Sequence, residues 1–139
     1  MRLSCTHAAL VALVLASALA GCGTSPASKA NARQVRAVVT QFALAHDAGA
    51  CDLLTDNAVQ NVYGGFSDPI PEARANCRAR SRRFKGQPVR ITQVNVINDT
   101  TAKVGATTPD GKVAYTVVVR KTGPRWLIDQ ITQARLKQS

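Results

Sequence analysis

The stretch Val113-Ala114-Tyr115-Thr116-Val117-Val118-Val119-Arg120-Lys121, followed by Thr122-Gly123-Pro124 and then Arg125-Trp126-Leu127-Ile128-Asp129-Gln130-Ile131, decides the fold class. Its β-branched and aromatic residues alternate with period two. Val113, Tyr115, Val117 and Val119 fall on one side, and Ala114, Thr116 and Val118 on the other. Gly-Pro interrupts the pattern where a chain reverses. Strands joined by so short a turn are antiparallel, because a parallel neighbour needs a crossover of a dozen or more residues. Upstream, Pro109-Asp110-Gly111-Lys112 supplies another turn, with glycine where φ turns positive. Thr101 to Thr107 is a shorter strand, and Val89 to Ile97 is β-branched up to Asn98-Asp99. Everything after Pro88 therefore reads as an antiparallel meander, with a polar basic tail over residues 132–139.

Before Pro88 the period changes to that of helices. Val35, Val38, Val39, Phe42, Ala45 and His46 share one face at about 3.6 residues per turn, marking an amphipathic helix from about Ala32 that Gly49 ends. Ala50 to Leu54 is a short second helix, and Thr55-Asp56 caps a further turn carrying Ala58, Val59 and Val62. Asp68-Pro69-Ile70-Pro71-Glu72 has the chemistry of a helix start, and a third helix runs from about Glu72 to Phe84 until Gly86 and Pro88 stop it. On it Ala73, Cys77, Arg80 and Phe84 share a narrow face, beside a stripe of Arg74, Arg78, Arg82 and Lys85. The fold class is α+β, with N-terminal helices packed on an antiparallel sheet over residues 32–131.

The front of the chain is different in kind. Met1 to Gly21 begins with the positive Arg2, continues with an apolar stretch from Ala8 to Ala20 broken by Ser17, and ends in small residues, the three parts of a secretory signal. The stretch is shorter than the roughly 18–20 residues that span a bilayer. Leu19-Ala20-Gly21-Cys22 resembles the lipobox of bacterial lipoproteins, which implies a diacylglycerol on the Cys22 thiol, removal of residues 1–21, and a location on the extracytoplasmic face of a membrane. Ala18 and Ala20 also fit an ordinary A-x-A cleavage site. Residues 22–31 are rich in Gly, Ser, Ala and Pro and read as a flexible tether. With Cys5 in the leader and Cys22 acylated, Cys51 and Cys77 remain as one pair in a compartment that permits disulfides, and are expected to be bonded. Closing their loop stabilises the fold by roughly 3–4 kcal/mol in the chain-entropy model. Without a Cys-x-x-Cys, and with only His46 nearby, they lack a zinc ligand set, so neither metal nor cofactor is expected.

The 139 residues carry a formal net charge of +10, of which the leader holds only Arg2. One domain's worth of chain remains after processing. Such a surplus attracts anionic partners: lipid head groups, wall polymers, nucleic acid or acidic proteins. Export disfavours nucleic acid, and so does an aromatic content of 4%, too low for a base-stacking platform. From Arg74 to Arg90 there is no acid between the positive charges. The stripe of Arg74, Arg78, Arg82 and Lys85 is either a solvated face or a contact for anionic lipid or wall polymer.

The order of helix, short helix, third helix and meander, ending in Gly123-Pro124-Arg125-Trp126-Leu127-Ile128-Asp129, is similar to that of nuclear transport factor 2-like domains, and small exported lipoproteins of this type resemble the chain from Ala32 to Ile131. The resemblance implies a cone in which a curved antiparallel sheet wraps the long helix. Cystatin-like inhibitors have a similar order. The superfamily holds isomerases, dehydratases, cyclases and epoxide hydrolases as well as binding and scaffold domains, so fold alone assigns no activity. No motif aligns residue by residue, and no catalytic residue is carried over. His46, Tyr63, Tyr115 and Trp126 are the candidate pocket residues, each with an apolar body and a polar tip, although such residues also complete cores. His46 is either a base leaning into the cone or a rim histidine bonded to backbone, and Asp129 is either an acid or a surface residue. The expected function is a non-catalytic, membrane-anchored domain that binds a small apolar molecule or a partner protein. The alternatives are a small isomerase or hydrolase, and adhesion to anionic envelope surfaces.

Overall fold

Ser25-Pro26 opens the first helix: the Ser25 hydroxyl accepts the Ser28 amide at 3.1 Å and Pro26 occupies the first turn. The computed structural model describes residues 25–65, 67–83 and 85–136, so the leader and Cys22 lie outside the described residues. Helix α1 spans Pro26–Leu44, six residues longer at its start than the period in the sequence indicates. Residues 26–31, read above as tether, form its first turns, because a Ser-Pro cap followed by Ala27, Ala30 and Ala32 favours helix without an apolar face. Val35, Val38 and Val39 are the buried stripe. The helix stops at Leu44 rather than Gly49, since Ala45 is extended and Asp47 accepts the Gly49 amide at 2.9 Å to cap a separate 3₁₀ turn, Ala48–Leu53.

Helix α2 (Asp56–Tyr63) starts at Thr55, whose hydroxyl accepts the Ala58 amide. Helix α3 (Ile70–Ser81) starts between two prolines and packs on α2 and the 3₁₀ turn. Its inward residues are Ala73, Cys77 and Ser81, four apart, whereas Arg80 is exposed; Phe84 lies outside the described residues. Cys51 and Cys77 are bonded with their Cα atoms 6.0 Å apart, joining the 3₁₀ turn to α3 across a sequence separation of 26. Among the described residues no helix is long and apolar enough to cross a membrane.

Strands β1 (Arg90–Asn98), β2 (Thr101–Thr107), β3 (Val113–Thr122) and β4 (Arg125–Arg135) form one antiparallel sheet in sequence order, as their short connections require. Gly111 (φ 71°) and Gly123 (φ 59°) occupy the left-handed region at the two later turns. Residues 132–135, read above as tail, continue β4 by pairing with Val113 to Thr116. Ladder hydrogen bonds satisfy the backbone whatever the side chains, so a polar segment extends a strand wherever its neighbour is long enough.

Both edge strands carry a bulge. In β1, Ile91 and Gln93 oppose the adjacent residues Ala106 and Gly105, which leaves Thr92 extra. In β4, Ile128 and Gln130 oppose Val119 and Val118, which leaves Asp129 extra. Each bulge bends its strand and shifts its inward phase by one residue. Trp126 and Ile128 therefore face the helices with Val119, whereas Ile131, opposite Val117, is 41% exposed. Ala102, Val104 and Ala106 are the buried residues of β2.

The bulged Asp129 ties the two layers together. Its carboxylate accepts from Thr55 Oγ1 at 2.8 Å, from Arg120 Nε at 2.8 Å and from Asn57 Nδ2 at 3.4 Å, while the Thr55 amide donates to the Ile128 carbonyl at 2.8 Å. Burial alone raises a carboxyl pKa. Here the hydrogen bonds from Thr55 and Arg120 and the Arg120 charge outweigh burial and hold Asp129 below its ordinary value. Asp129 is thus a structural anion, neither a loose surface group nor a free acid.

Candidate ligand cavity

A cavity of about 350 Å³ lies between the helices and the sheet, beside the last turn of α1. Two features leave this space. Ala106, inward on β2 opposite Tyr115, carries only a methyl group, and the chain after Leu44, extended at Ala45, presents only the small side chains of Ala45 and Ala50 there. The helical wall is Val39 and Phe42 of α1 with Tyr63 of α2; the sheet contributes Ala106, Tyr115, Val117, Ile128 and Ile131. The remaining wall is the crossing segment 85–89, held against the end of α1 by the Gln87 amide donating to the Ala43 carbonyl at 2.9 Å. Gly86 permits that contact: a Cβ there would lie 2.2 Å from the Leu44 carbonyl oxygen. Volume and apolar walls with a few polar groups are those of a small-molecule site, which typically spans about 300–1,000 Å³.

The polar atoms at the cavity come from Tyr63, Tyr115, Thr108, Gln87 and Lys85. Tyr63 is 8% exposed, and burial first, tempered by the nearby Arg80 charge, pushes its hydroxyl above the ordinary tyrosine value, so it is a proton donor at neutral pH. Among the described residues the lining contains no carboxylate and no imidazole. Two carboxylates lie beside lining residues: Asp110 accepts from Thr108 Oγ1 at 2.6 Å, and Asp129, next to Ile128, is turned into the Thr55 and Arg120 contacts.

Of the four pocket residues expected from sequence, Tyr63 and Tyr115 line this cavity; His46 and Trp126 do not. His46 lies beyond the end of α1, exposed, with Nδ1 3.2 Å from the Leu44 carbonyl oxygen, because the helix ends before reaching it. Trp126 is 5% exposed within the core, where the Lys121 ammonium sits 5.9 Å from its ring centroid. Its Nε1 has no acceptor among the described residues. Ala106, Ile131 and residues 86–89 were not legible as site residues, and Lys85 was read only as a contact for anionic surfaces. Ala102-x-Val104-x-Ala106 does alternate, and a small residue in an inward register is the available signal for a void.

The basic stripe divides. Arg74 donates to Asp56 Oδ1 through Nε at 3.1 Å and to the Cys51 carbonyl at 3.2 Å, and Arg78 lies 3.6 Å from Asp52. Arg82 is exposed, and Lys85 lines the cavity. A second, shallower depression is lined by Arg74, Arg78, Arg125, Asp52, Leu54 and Leu127, and its carboxylate already faces its cations.

No protein-family model matches the chain, and no curated protein sequence matches it. Among solved structures it is similar to one described as a calcium/calmodulin dependent protein kinase II association domain from Xanthomonas campestris, with a TM-score of 0.47 and 16% identity over 83% of this chain and 91% of that one. That likeness concerns the arrangement of helices on an antiparallel sheet and carries nothing about activity or assembly.

Proposed function

We propose that this chain is a lipoprotein anchored through Cys22 at the extracytoplasmic face of a membrane, whose domain binds a small, largely apolar molecule without transforming it. The binding reading is carried by the cavity: aliphatic and aromatic walls, tyrosine hydroxyls, and no pair of titratable groups converging on a point among the described residues. An isomerase or hydrolase at this site would need such a pair. The anchor is supported by the Leu19-Ala20-Gly21-Cys22 order at the end of the apolar leader. Acylation requires the cysteine thiol. Labelled palmitate is therefore expected in the wild-type chain and not in Cys22→Ser, and its absence from both refutes the anchor.

The cavity is tested with the neutral dye N-phenylnaphthylamine on the full-length Cys22→Ser chain. Saturable fluorescence enhancement is expected. Ala106→Phe, which places a phenyl ring where the methyl group now leaves room, should weaken it at least tenfold while circular dichroism stays unchanged. Equal dye binding by the two chains overturns the reading.

A further inference from the structure

We infer, building on the cavity reading, that the ligand is an anionic amphiphile: an acyl chain or similar apolar body inside, with one acidic head group at the Lys85 end. Three observations converge. The ionisable residues among the described lining are Lys85, Tyr63 and Tyr115, so the lining itself offers a cation and two phenol hydroxyls; the carboxylate beside it, Asp110, is taken up by Thr108 at 2.6 Å and Lys112 at 3.8 Å. The segment that forms this wall is flanked by Arg82 and Arg83 on one side and Arg90 on the other, all exposed and none in an ion pair with a described residue. Earlier in the same run, Arg74 and Arg78 are partnered by Asp56 and Asp52, so the uncompensated charge is concentrated toward the cavity end.

The Tyr63 residue is nine-tenths buried. Its backbone carbonyl accepts from Asn76, whereas its hydroxyl has no hydrogen-bond partner among the described residues. Tyr63 lines the cavity, and its hydroxyl can donate to an oxygen of the ligand. An ionised head group cannot be stripped of water inside apolar walls without a compensating charge, so it stays at the rim with Lys85 while the apolar body fills the space behind. A cationic ligand would meet like charge there.

The test uses cis-parinaric acid and its methyl ester, equal in apolar body and different in charge, titrated by fluorescence into the full-length Cys22→Ser chain at neutral pH. The acid should bind roughly fivefold more tightly than the ester, the effect of one screened ion pair at a partly exposed site. Lys85→Met should weaken the acid more than the ester and so shrink that preference, and high salt should shrink it further. Ala106→Phe should weaken both probes. Equal affinities of acid and ester, with Ala106→Phe weakening both, overturn the anionic preference and leave the cavity reading standing. Insensitivity of both probes to Ala106→Phe refutes the cavity reading, and this inference with it.

Discussion

Replacing Asp129 by asparagine tests the contact that joins the helices to the sheet. The carboxylate is 11% exposed at its side chain and accepts the Thr55 hydroxyl, the Arg120 Nε and, more weakly, the Asn57 amide. Hydrogen bonds to a charged group contribute about 1.5–3 kcal/mol each. Arg120 is 58% exposed, so solvent screening reduces its share to at most about 1 kcal/mol. The buried Thr55 bond carries the rest, and we expect Asp129→Asn to cost roughly 2–3 kcal/mol at neutral pH. Thr55→Val should cost a similar amount, because it also removes the hydroxyl that caps α2, a loss of about 1 kcal/mol. The two effects should not add: a double-mutant cycle should give a coupling of about 1–2 kcal/mol. Urea unfolding of the oxidised protein measures all three variants, provided m stays constant. The folded-state pKa of Asp129 is depressed, so its contribution is complete above the unfolded carboxyl value of about 3.9 and disappears as pH falls through the folded value. Asp129→Asn should therefore flatten the acid limb of stability against pH. A variant within about 0.5 kcal/mol of wild type, or strict additivity with Thr55→Val, refutes this account of the junction.

Replacing both Cys51 and Cys77 by alanine should lower stability by roughly 3–4 kcal/mol, since it releases a loop closed across 26 positions; a urea midpoint equal to that of the oxidised wild type would contradict it. Gly86→Ala forces a methyl group onto the Leu44 carbonyl, 2.2 Å from its oxygen. It should cost about 1–3 kcal/mol and weaken dye binding by displacing the cavity wall; unchanged melting and unchanged affinity would show that the 85–89 segment is not seated as described.

How much could be read beforehand depended on how far away the cause of each feature lay. The three helices and the four-strand meander were legible because their signals are local: Thr55 beside its helix, Pro69 and Pro71 beside theirs, Gly111 and Gly123 within their turns. The start of α1 was missed because residues 26–31 carry no apolar period, only a Ser-Pro cap and alanines. His46 was drawn into the helix face because periodicity continues past Leu44 even though the helix does not; Asp47, a cap for the following turn, was the overlooked stop. Tyr63 and Tyr115 reached the cavity because each sits inward on a regular element, whereas Trp126 is inward at the other side of the bulge.

Composition and spacing alone determined that the chain is helical before Pro88 and antiparallel after it, since those properties follow from short-range backbone chemistry, and they singled out Cys51 and Cys77 as the expected pair. Only the tertiary structure decided that the inward phase of β4 changes at Asp129, that Arg74 and Arg78 meet acids on other elements, and that an open volume remains beneath Ala106. Each of these depends on where two or more separately determined elements end relative to one another, and a hydrophobic period along one element holds no record of that.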